Sequence, residues 1–277
     1  MKFSLAGVQL KFTGNADGDR LTAPARGETG RSIIKLGSER FPNLPEAEFA
    51  AMQMASAMGV RTAPCRLISR DAIRDIPAEL LQHGENVLVV DRFDRSAGGR
   101  IQIEDTGQVL GAVGDRKYTM GTTETVINTV RRFSTDHRDD VLEAVRRVVA
   151  DVLLKNGDNH LKNWSFYFPR AGQIRLSPAY DIVPTVLYLP QDEMALRFVR
   201  THSFEAVKNL HRFERVASFI RLDPKLITRA VDHAVRQALE TWPKIAPALL
   251  GSDSCDRILR RLDTLTLVQE VRVRIGL

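Results

Sequence analysis

Two hydrophobic patterns follow one another along the chain. In residues 1–95, short apolar runs separated by turn-forming residues indicate β-strands. Pro45 and Glu46 lie in the first turn of a predicted helix that Gly59 closes. The predicted strands are 10–13, 32–36 and 86–93, and a predicted turn cluster at 14–18 follows the first of them. Residues 1–95 are therefore predicted to form a small β-rich lobe around one helix.

From about residue 120 the apolar positions recur at helical spacing. Val141, Val145 and Val148 share one face of a predicted helix over 137–155, which follows another over 122–134. The later predicted elements are a hairpin of 164–168 and 174–176, then mostly helical residues 202–275 with breaks near Pro224, Pro243 and Gly251. Residues 96–277 thus predict a larger helical lobe.

Composition narrows the class of protein without identifying it. The 277 residues are 43% hydrophobic and carry a net charge of +6, as in an ordinary globular protein whose surface admits acidic partners. Cys65 and Cys255 are far apart and fit no metal-ligand spacing. Because no run approaches the ~18 apolar residues of a membrane span, we expect a cytoplasmic protein without a membrane partner.

The segment 156–163, Asn-Gly-Asp-Asn-His-Leu-Lys-Asn, has the most informative chemistry. Asp158, Lys162 and Asn163 lie within six residues, and Asp181 follows after the predicted hairpin. Such a set suits phosphoryl transfer from a magnesium-bound phosphate chain: a carboxylate base, an amide and a second carboxylate for the metal, and a cation for the transferred group. The alternative is a loop after a helix in which Asp and Asn only satisfy backbone groups.

A lysine in an apolar strand is the second signal. Lys35 would be costly to bury unpaired, and Glu48 on the next helix is its obvious partner. Kinases present a charge to the nucleotide phosphates through such a strand lysine and helix glutamate. The alternative is a lysine whose stem covers apolar surface while its charge stays in water.

Three further segments are weaker signals. Asp91 to Phe93 end a strand, where a nucleotide hinge would lie, although a salt-bridged strand end has the same composition. Residues 4–11 contain one glycine and by composition form a poor phosphate loop, and by themselves they would be a β-strand with a bulge glycine. His160 is more simply a structural histidine, because Asp158 already supplies a base.

Together these segments resemble the HipA family of bacterial serine/threonine kinases, the toxins of HipBA-type toxin–antitoxin pairs. The matching segments occur in the family's order and are 4–11, 33–36, Glu48, 90–95, Glu104-Asp105, 157–163 and 178–182. The resemblance implies an α+β, two-lobed, protein-kinase-like (HipA-like) fold. The N-lobe, residues 1–95, would be reduced and β-rich, and residues 96–277 would form the helical C-lobe.

The resemblance also implies a role for each matching residue. Asp158 would be the catalytic base, and Asn163 and Asp181 would hold Mg²⁺. Lys35, paired with Glu48, would contact the ATP phosphates. The remaining nucleotide contacts implied are Gly7, Val8, Gln9 and Lys11 in a phosphate-binding loop, Asp91 and Phe93 in the adenine hinge, and His160 and Lys162.

Ser4 aligns with the serine that members autophosphorylate, an event that ejects the phosphate-binding loop and inactivates the kinase. Ala6 stands where short members carry a second serine, so Ser4 is the predicted switch. Only three residues precede Ser4. That arrangement is similar to the short HipT-type kinases of split systems, in which a separate small protein supplies the missing N-terminal subdomain.

The leading hypothesis is an ATP- and Mg²⁺-dependent serine/threonine protein kinase, the toxin of a HipBA- or HipBST-like system. By family analogy it would phosphorylate an aminoacyl-tRNA synthetase and bind a helix-turn-helix HipB-like antitoxin, which would connect it to DNA only indirectly. A catalytically silent, kinase-derived regulatory or antitoxin-binding protein is the alternative. A small-molecule or lipid kinase is a third, because catalytic constellations recur on related folds with different substrates.

Overall fold

An antiparallel sheet forms the first part of the computed structural model, which describes residues 9–17, 20–22, 30–73 and 78–277. Its strand order is β2-β1-β3-β5-β4, so β3 lies at the centre. In this register Lys35, at the end of β3, lies opposite Lys11 on one side and Leu88 on the other. The strands are β1 (Lys11–Asp17), β2 (Arg20–Thr22), β3 (Ser32–Lys35), β4 (Cys65–Ser69) and β5 (Asn86–Asp91).

The predicted turn at 14–18 is wrong in its position. Gly14 and Asn15 continue β1, paired with Ser32 and Thr22 respectively. A side chain on Gly30 would collide with the Gly14 backbone, so glycine at position 30 permits the two segments to lie this close together. Glycine there marks a close approach of two backbones and not a chain reversal.

Helix α1 (Leu44–Ala57) packs against β5 and β4. Its predicted start and end are confirmed. Pro45 lies in the first turn, and Gly59 after the last turn has a φ of 91°, a backbone conformation that residues with a side chain rarely adopt. Glu48 faces the sheet and is buried. This orientation brings a helix carboxylate to the end of β3.

A second, smaller sheet has the order β10-β9-β8, and β6 and β7 pair as a separate two-stranded sheet. The predicted hairpin is confirmed as β9 and β10, and Asp105 ends β8 and caps the short helix α2 through Gln108. The elements here are β6 (Arg95–Ser96), β7 (Gly99–Arg100), β8 (Ile103–Asp105), α2 (Thr106–Leu110), β9 (Ser165–Tyr167) and β10 (Arg175–Leu176).

The remainder is helical. Thr122 caps α3 by accepting from the Thr125 backbone N–H, and the valines of α4 that share a face are buried, as their spacing predicts. The helices are α3 (Thr123–Phe133), α4 (His137–Leu154), α5 (His211–Ile220), α6 (Pro224–Leu249), α7 (Ser252–Thr264) and α8 (Thr266–Ile275). No helix in the described ranges is long and apolar enough to cross a membrane.

The predicted break near Pro243 is wrong, whereas those at Pro224 and Gly251 are confirmed. Pro224 opens α6, and Gly251 separates α6 from α7. Pro243 and Pro247 lie inside α6, where a proline costs one backbone hydrogen bond and crowds the preceding turn. The fully buried Trp242 offsets this cost, because its Nε1 donates to the Met54 carbonyl of α1 at 2.8 Å.

Trp242 joins the two lobes, so its removal is expected to destabilise the whole molecule. Trp242→Ala should lower the free energy of unfolding by about 3–5 kcal/mol, because it opens a large cavity between α1 and α6. Trp242→Phe keeps most of the apolar volume and should cost about 1 kcal/mol for the lost hydrogen bond. Urea denaturation of both variants measures the difference, and equal losses would contradict this assignment.

Candidate functional site

The site begins with a buried ion pair. Lys35 on β3 is 4% exposed, and its Nζ lies 2.5 Å from Glu48 Oε1 of α1. A second carboxylate, Asp181 of the C-lobe, also contacts the Lys35 ammonium. Burial alone would lower the pKa of Lys35, but the Asp181 and Glu48 carboxylates more than offset this and raise it. The lysine is therefore held as a cation at the junction of the two lobes.

Asp181 is placed by a backbone link between the lobes. The Ala179 N–H donates to the Arg61 carbonyl at 2.7 Å, and the Ala63 N–H donates to the Ala179 carbonyl at 2.8 Å. Two residues later, Asp181 has a φ of 55°, in the left-handed region that non-glycine residues seldom adopt. Its pKa is lowered, because Lys35 and Lys11 outweigh the burial that would raise it. Asp181 is thus an ionised carboxylate in an unusual backbone conformation.

The loop 156–163 follows α4, whose last turn ends at Lys155 with a φ of 55°. Asp158 is buried, and the Asn163 side-chain amide donates to its carbonyl at 3.0 Å. A side chain at Gly157 would collide with Asp192 and the Glu193 carbonyl. The Gly157 N–H donates to Thr185 Oγ1 at 2.9 Å. Glycine is needed there because the loop packs closely against the segment that contains Asp192.

A buried carboxylate on α4 also fixes this loop. Asp151 accepts a hydrogen bond from the Asn156 amide at 2.8 Å and another from the Asn159 amide. Burial raises the pKa of Asp151 to about 7, although these two hydrogen bonds and the positive charge of Arg147 on the same helix act in the opposite direction. Asp151 connects α4 to the residues on both sides of Asp158.

This shift predicts a pH dependence of stability. Because the pKa of Asp151 is raised on folding, the folded state keeps a proton that the unfolded state has lost between about pH 4 and 7. Stability from this group therefore falls as pH rises, by up to about 1.4 kcal/mol per unit. Asp151→Asn cannot ionise, so its free energy of unfolding should improve relative to the wild type over that range. Denaturation of Asp151→Asn and the wild type at about pH 5, 6 and 7 tests this. A difference in free energy of unfolding that stays constant over these pH values would contradict it. The exposed Asp253→Asn serves as the control.

The lobes enclose a cleft of about 660 Å³. One wall is aromatic, with the rings of Phe93 and Tyr180 5.7 Å apart and tilted by 30°. Lys11, Lys35, Lys117 and Lys162 also line the cleft, and their positive charges favour an anionic ligand. The lining residues are Gln9, Leu10, Lys11, Ile33, Lys35, Ala63, Val90, Asp91, Arg92, Phe93, Asp94, Ile103, Lys117, His160, Lys162, Asn163, Tyr180 and Asp181.

The residues predicted as a hinge lie at the end of β5 and are hydrogen-bonded to neighbouring segments. The Asp91 N–H donates to the Pro64 carbonyl and the Arg92 N–H to the Arg31 carbonyl, at 2.8 and 2.9 Å. The Arg92 guanidinium also makes a two-point contact with the buried carboxylate of Asp94. The salt-bridged strand end considered as the alternative is therefore present, and Asp91, Arg92 and Phe93 line the cleft.

The donor set of the cleft fits a magnesium ion shared with a phosphate ligand. Asn163 and Asp181 both line it, and amide and carboxylate oxygens suit a hard cation. Within the part of the chain that the structure describes, no group of three or more His, Cys, Asp or Glu residues could hold a metal alone. Mg²⁺ is commonly bound by one or two protein groups completed by substrate phosphates, and this set matches that mode.

The structure brings most of the predicted site residues to this cleft. Glu48 lies behind Lys35, and Asp158 lies beside His160 and Asn163 on the loop. The Gln9 side chain donates to the Leu36 carbonyl at 2.9 Å, which fixes it against the end of β3. Ser4, Gly7 and Val8, predicted for autophosphorylation and phosphate binding, lie outside the described residues.

Sequence reasoning missed Tyr180 and Lys117 at this cleft. Tyr180 is held by hydrogen bonds between its hydroxyl group and Ser165 Oγ at 2.6 Å and the Lys162 carbonyl at 2.9 Å. Its position directly before Asp181 could have suggested a role in the cleft. Lys117 lies in a short charged segment, 114–118, that has no distinguishing sequence signal.

Residues 3–242 match the family model for the HipA-like C-terminal domain. The chain belongs to this family. Among curated proteins it is similar to "Putative kinase Y4dM" of Sinorhizobium fredii, with 37% identity over 246 residues, covering 87% of this chain and 59% of that protein. "Putative kinase Y4mE" of the same organism is 31% identical over 196 residues, 68% of this chain and 44% of the relative. The chain spans about half the length of the curated relatives it matches.

Solved structures support the predicted fold. The chain aligns with HipA in a Shewanella oneidensis toxin–antitoxin complex of HipA, HipB and operator DNA, with a TM-score of 0.74 and 19% identity, over 99% of this chain and 65% of that one. It also aligns with the Helicobacter pylori proinflammatory kinase CtkA, with a TM-score of 0.50 and 15% identity, over 93% and 92%. The predicted α+β, two-lobed, kinase-like fold of the HipA-like family is confirmed.

Proposed function

We propose that this HipA-like chain is an ATP- and Mg²⁺-dependent serine/threonine protein kinase. The observation that most supports it is the contact of the buried Lys35–Glu48 pair with Asp181 across the lobes. Asp158 and Asn163 lie on the loop that borders the same cleft. Phosphoryl transfer depends mainly on positioning and charge stabilisation, and the residues of this cleft would supply both.

The nucleotide would lie with its base against the aromatic wall. Phe93 and Tyr180 offer ring faces, and the hinge from Asp91 to Phe93 would contact the base edge. Lys35 would then face the phosphate chain, with Lys11 and Lys162 beside it. Gly7, Val8 and Gln9 are proposed to complete the phosphate loop.

Asn163 and Asp181 would hold magnesium. When bound, the ion would supply positive charge against the negative charge that develops on the phosphate during transfer. The Asp158 carboxylate would accept the proton of the acceptor hydroxyl group as that oxygen bonds to phosphorus and the bond to the ADP oxygen breaks. His160 would be a structural residue that keeps the loop in place. It would be neutral, because burial and the nearby Lys117 lower its pKa to about 4.

The toxin role is an extension of this activity. The Shewanella complex of HipA with HipB and operator DNA supports a helix-turn-helix antitoxin partner, with DNA reached through that partner. An aminoacyl-tRNA synthetase is the proposed substrate, in the cytoplasm. Ser4 is proposed as the site of inactivating autophosphorylation, and a separate small protein as the source of an N-terminal subdomain.

Phosphorylation of a bacterial extract tests the substrate class. The purified chain with γ-labelled ATP and Mg²⁺ should label serine or threonine in a few proteins, among them a synthetase, whereas Asp158→Asn should not. Label confined to lipids or small metabolites would instead favour the small-molecule kinase. No labelling despite measurable ATP binding would favour the catalytically silent regulatory protein.

A further inference from the structure

Lys117 approaches the loop 156–163 from the C-lobe. It belongs to none of the motifs predicted from the sequence. It lies in the 3₁₀ turn Gly114–Tyr118, which packs beside the short 3₁₀ turn Leu161–Asn163. Its Nζ lies 2.7 Å from His160 Nε2 and 4.8 Å above the ring of Tyr118. Lys117 lines the cleft and is half-buried. Its position is therefore fixed by two neighbours and open towards the site.

The surroundings of Lys117 leave its charge available to an anion. A lysine ammonium has three donors, and neutral His160 accepts one of them. Among the described residues, no carboxylate forms a salt bridge with Lys117. Burial lowers its pKa, while the negative charge of Asp158 opposes this and favours the ammonium form. The two groups that Lys117 contacts, His160 and the Tyr118 ring, do not neutralise its charge, so the ammonium group can meet a negative ligand.

The same turn connects Lys117 with Asp158. The Tyr118 hydroxyl group lies 3.4 Å from Asp158 Oδ1, and the Tyr118 ring contacts His160 edge-on at 5.2 Å between centroids. Lys35, by contrast, enters the cleft from the sheet of the N-lobe. The terminal phosphoryl group must lie close to the residue that receives the acceptor's proton, so the cation beside Asp158 is placed for that group.

We propose that Lys117 is a further catalytic residue whose ammonium group contacts the terminal phosphoryl group of ATP during its transfer. This inference rests on the proposed kinase function. The phosphoryl group leaves the bridging oxygen of ADP and bonds to the acceptor oxygen, the acceptor's proton goes to Asp158, and Lys117 keeps all its protons. His160 orients the ammonium group by accepting one of them in a hydrogen bond.

The test compares Lys117→Met with Arg116→Met, an exposed cation of the same turn that serves as the matched control. Calorimetry with ADP and Mg²⁺, and the rate of label transfer from γ-labelled ATP, are measured for both variants and the wild type. We expect Lys117→Met to lose about 10²-fold in kcat/KM. ADP affinity should stay within about 2-fold, because ADP lacks the contacted group. Lys117→Arg should recover part of the loss.

Three results would overturn the inference. The first is a Lys117→Met variant as active as Arg116→Met. The second is a loss of ADP affinity as large as the loss of kcat/KM, which would mean that Lys117 only maintains the fold of the cleft. The third is a wild type that binds ADP and transfers no label, in which case the proposed kinase function fails as well. Activity in the wild type together with the first or second result would reject the Lys117 role alone.

Discussion

Asp158→Asn is expected to lower kcat for phosphoryl transfer by about 10²- to 10⁴-fold, the usual contribution of a positioned general base. The variant keeps the size of the side chain and its place on the loop but cannot accept the proton of the acceptor hydroxyl group. Nucleotide affinity should change little, since in the proposed arrangement Asp158 would face the acceptor and the lysines would face the phosphates. Steady-state rates give kcat and KM separately, and calorimetry gives the ATP affinity.

Asp253→Asn is the matched control for this variant, because it removes a carboxylate from an exposed position on α7. It should leave kcat unchanged. The assignment of Asp158 fails if both variants retain wild-type kcat. It also fails if Asp158→Asn loses ATP binding and activity in proportion, because Asp158 would then act on nucleotide binding and not on proton transfer.

Lys35→Met is expected to have the largest effect on stability within the site. It removes the only cation that the described residues place in contact with both Glu48 and Asp181, and leaves two carboxylates in a buried environment. Removing one partner of a buried ion pair typically costs about 3–5 kcal/mol, because the remaining charge is uncompensated. Urea denaturation of the variant should show a loss of this size.

Two further variants separate charge from packing. Lys244→Met removes an exposed lysine of α6 and should change stability by less than about 0.5 kcal/mol. The double variant Lys35→Met/Glu48→Met replaces the buried pair by apolar groups and should recover much of the loss. If the double variant is less stable than Lys35→Met, packing and not the uncompensated charge explains the result.

Local patterns predicted the elements that position this site. The valines of α4 and the capped start of α3 specify helices directly, and the ends of both agree with the prediction within two residues. The break at Pro243 was wrong because the buried Trp242 holds α6 together across the proline. Such a contact joins residues 54 and 242, and no local pattern contains that information.

The candidate site was predictable where its chemistry depends on residue spacing. Asp158, Asn163 and Asp181 could be grouped by sequence order alone. Glu48 could be predicted as the partner of Lys35, because a buried lysine requires a compensating charge. Lys117 and Asp151 could not be found this way. Their roles depend on the folded contacts with His160 and with Asn156 and Asn159, which bring separate segments together around the loop.

The central claim is that the cleft lined by Lys35, Asn163 and Asp181, with Asp158 on the loop that borders it, transfers the γ-phosphoryl group of ATP to protein. The most direct measurement incubates purified wild type and Asp158→Asn, with γ-labelled ATP and Mg²⁺, in a bacterial extract whose own kinases have been heat-inactivated. We predict label in protein with the wild type, and its loss with Asp158→Asn or when Mg²⁺ is chelated. Equal labelling by both forms, or none by either, would contradict the claim.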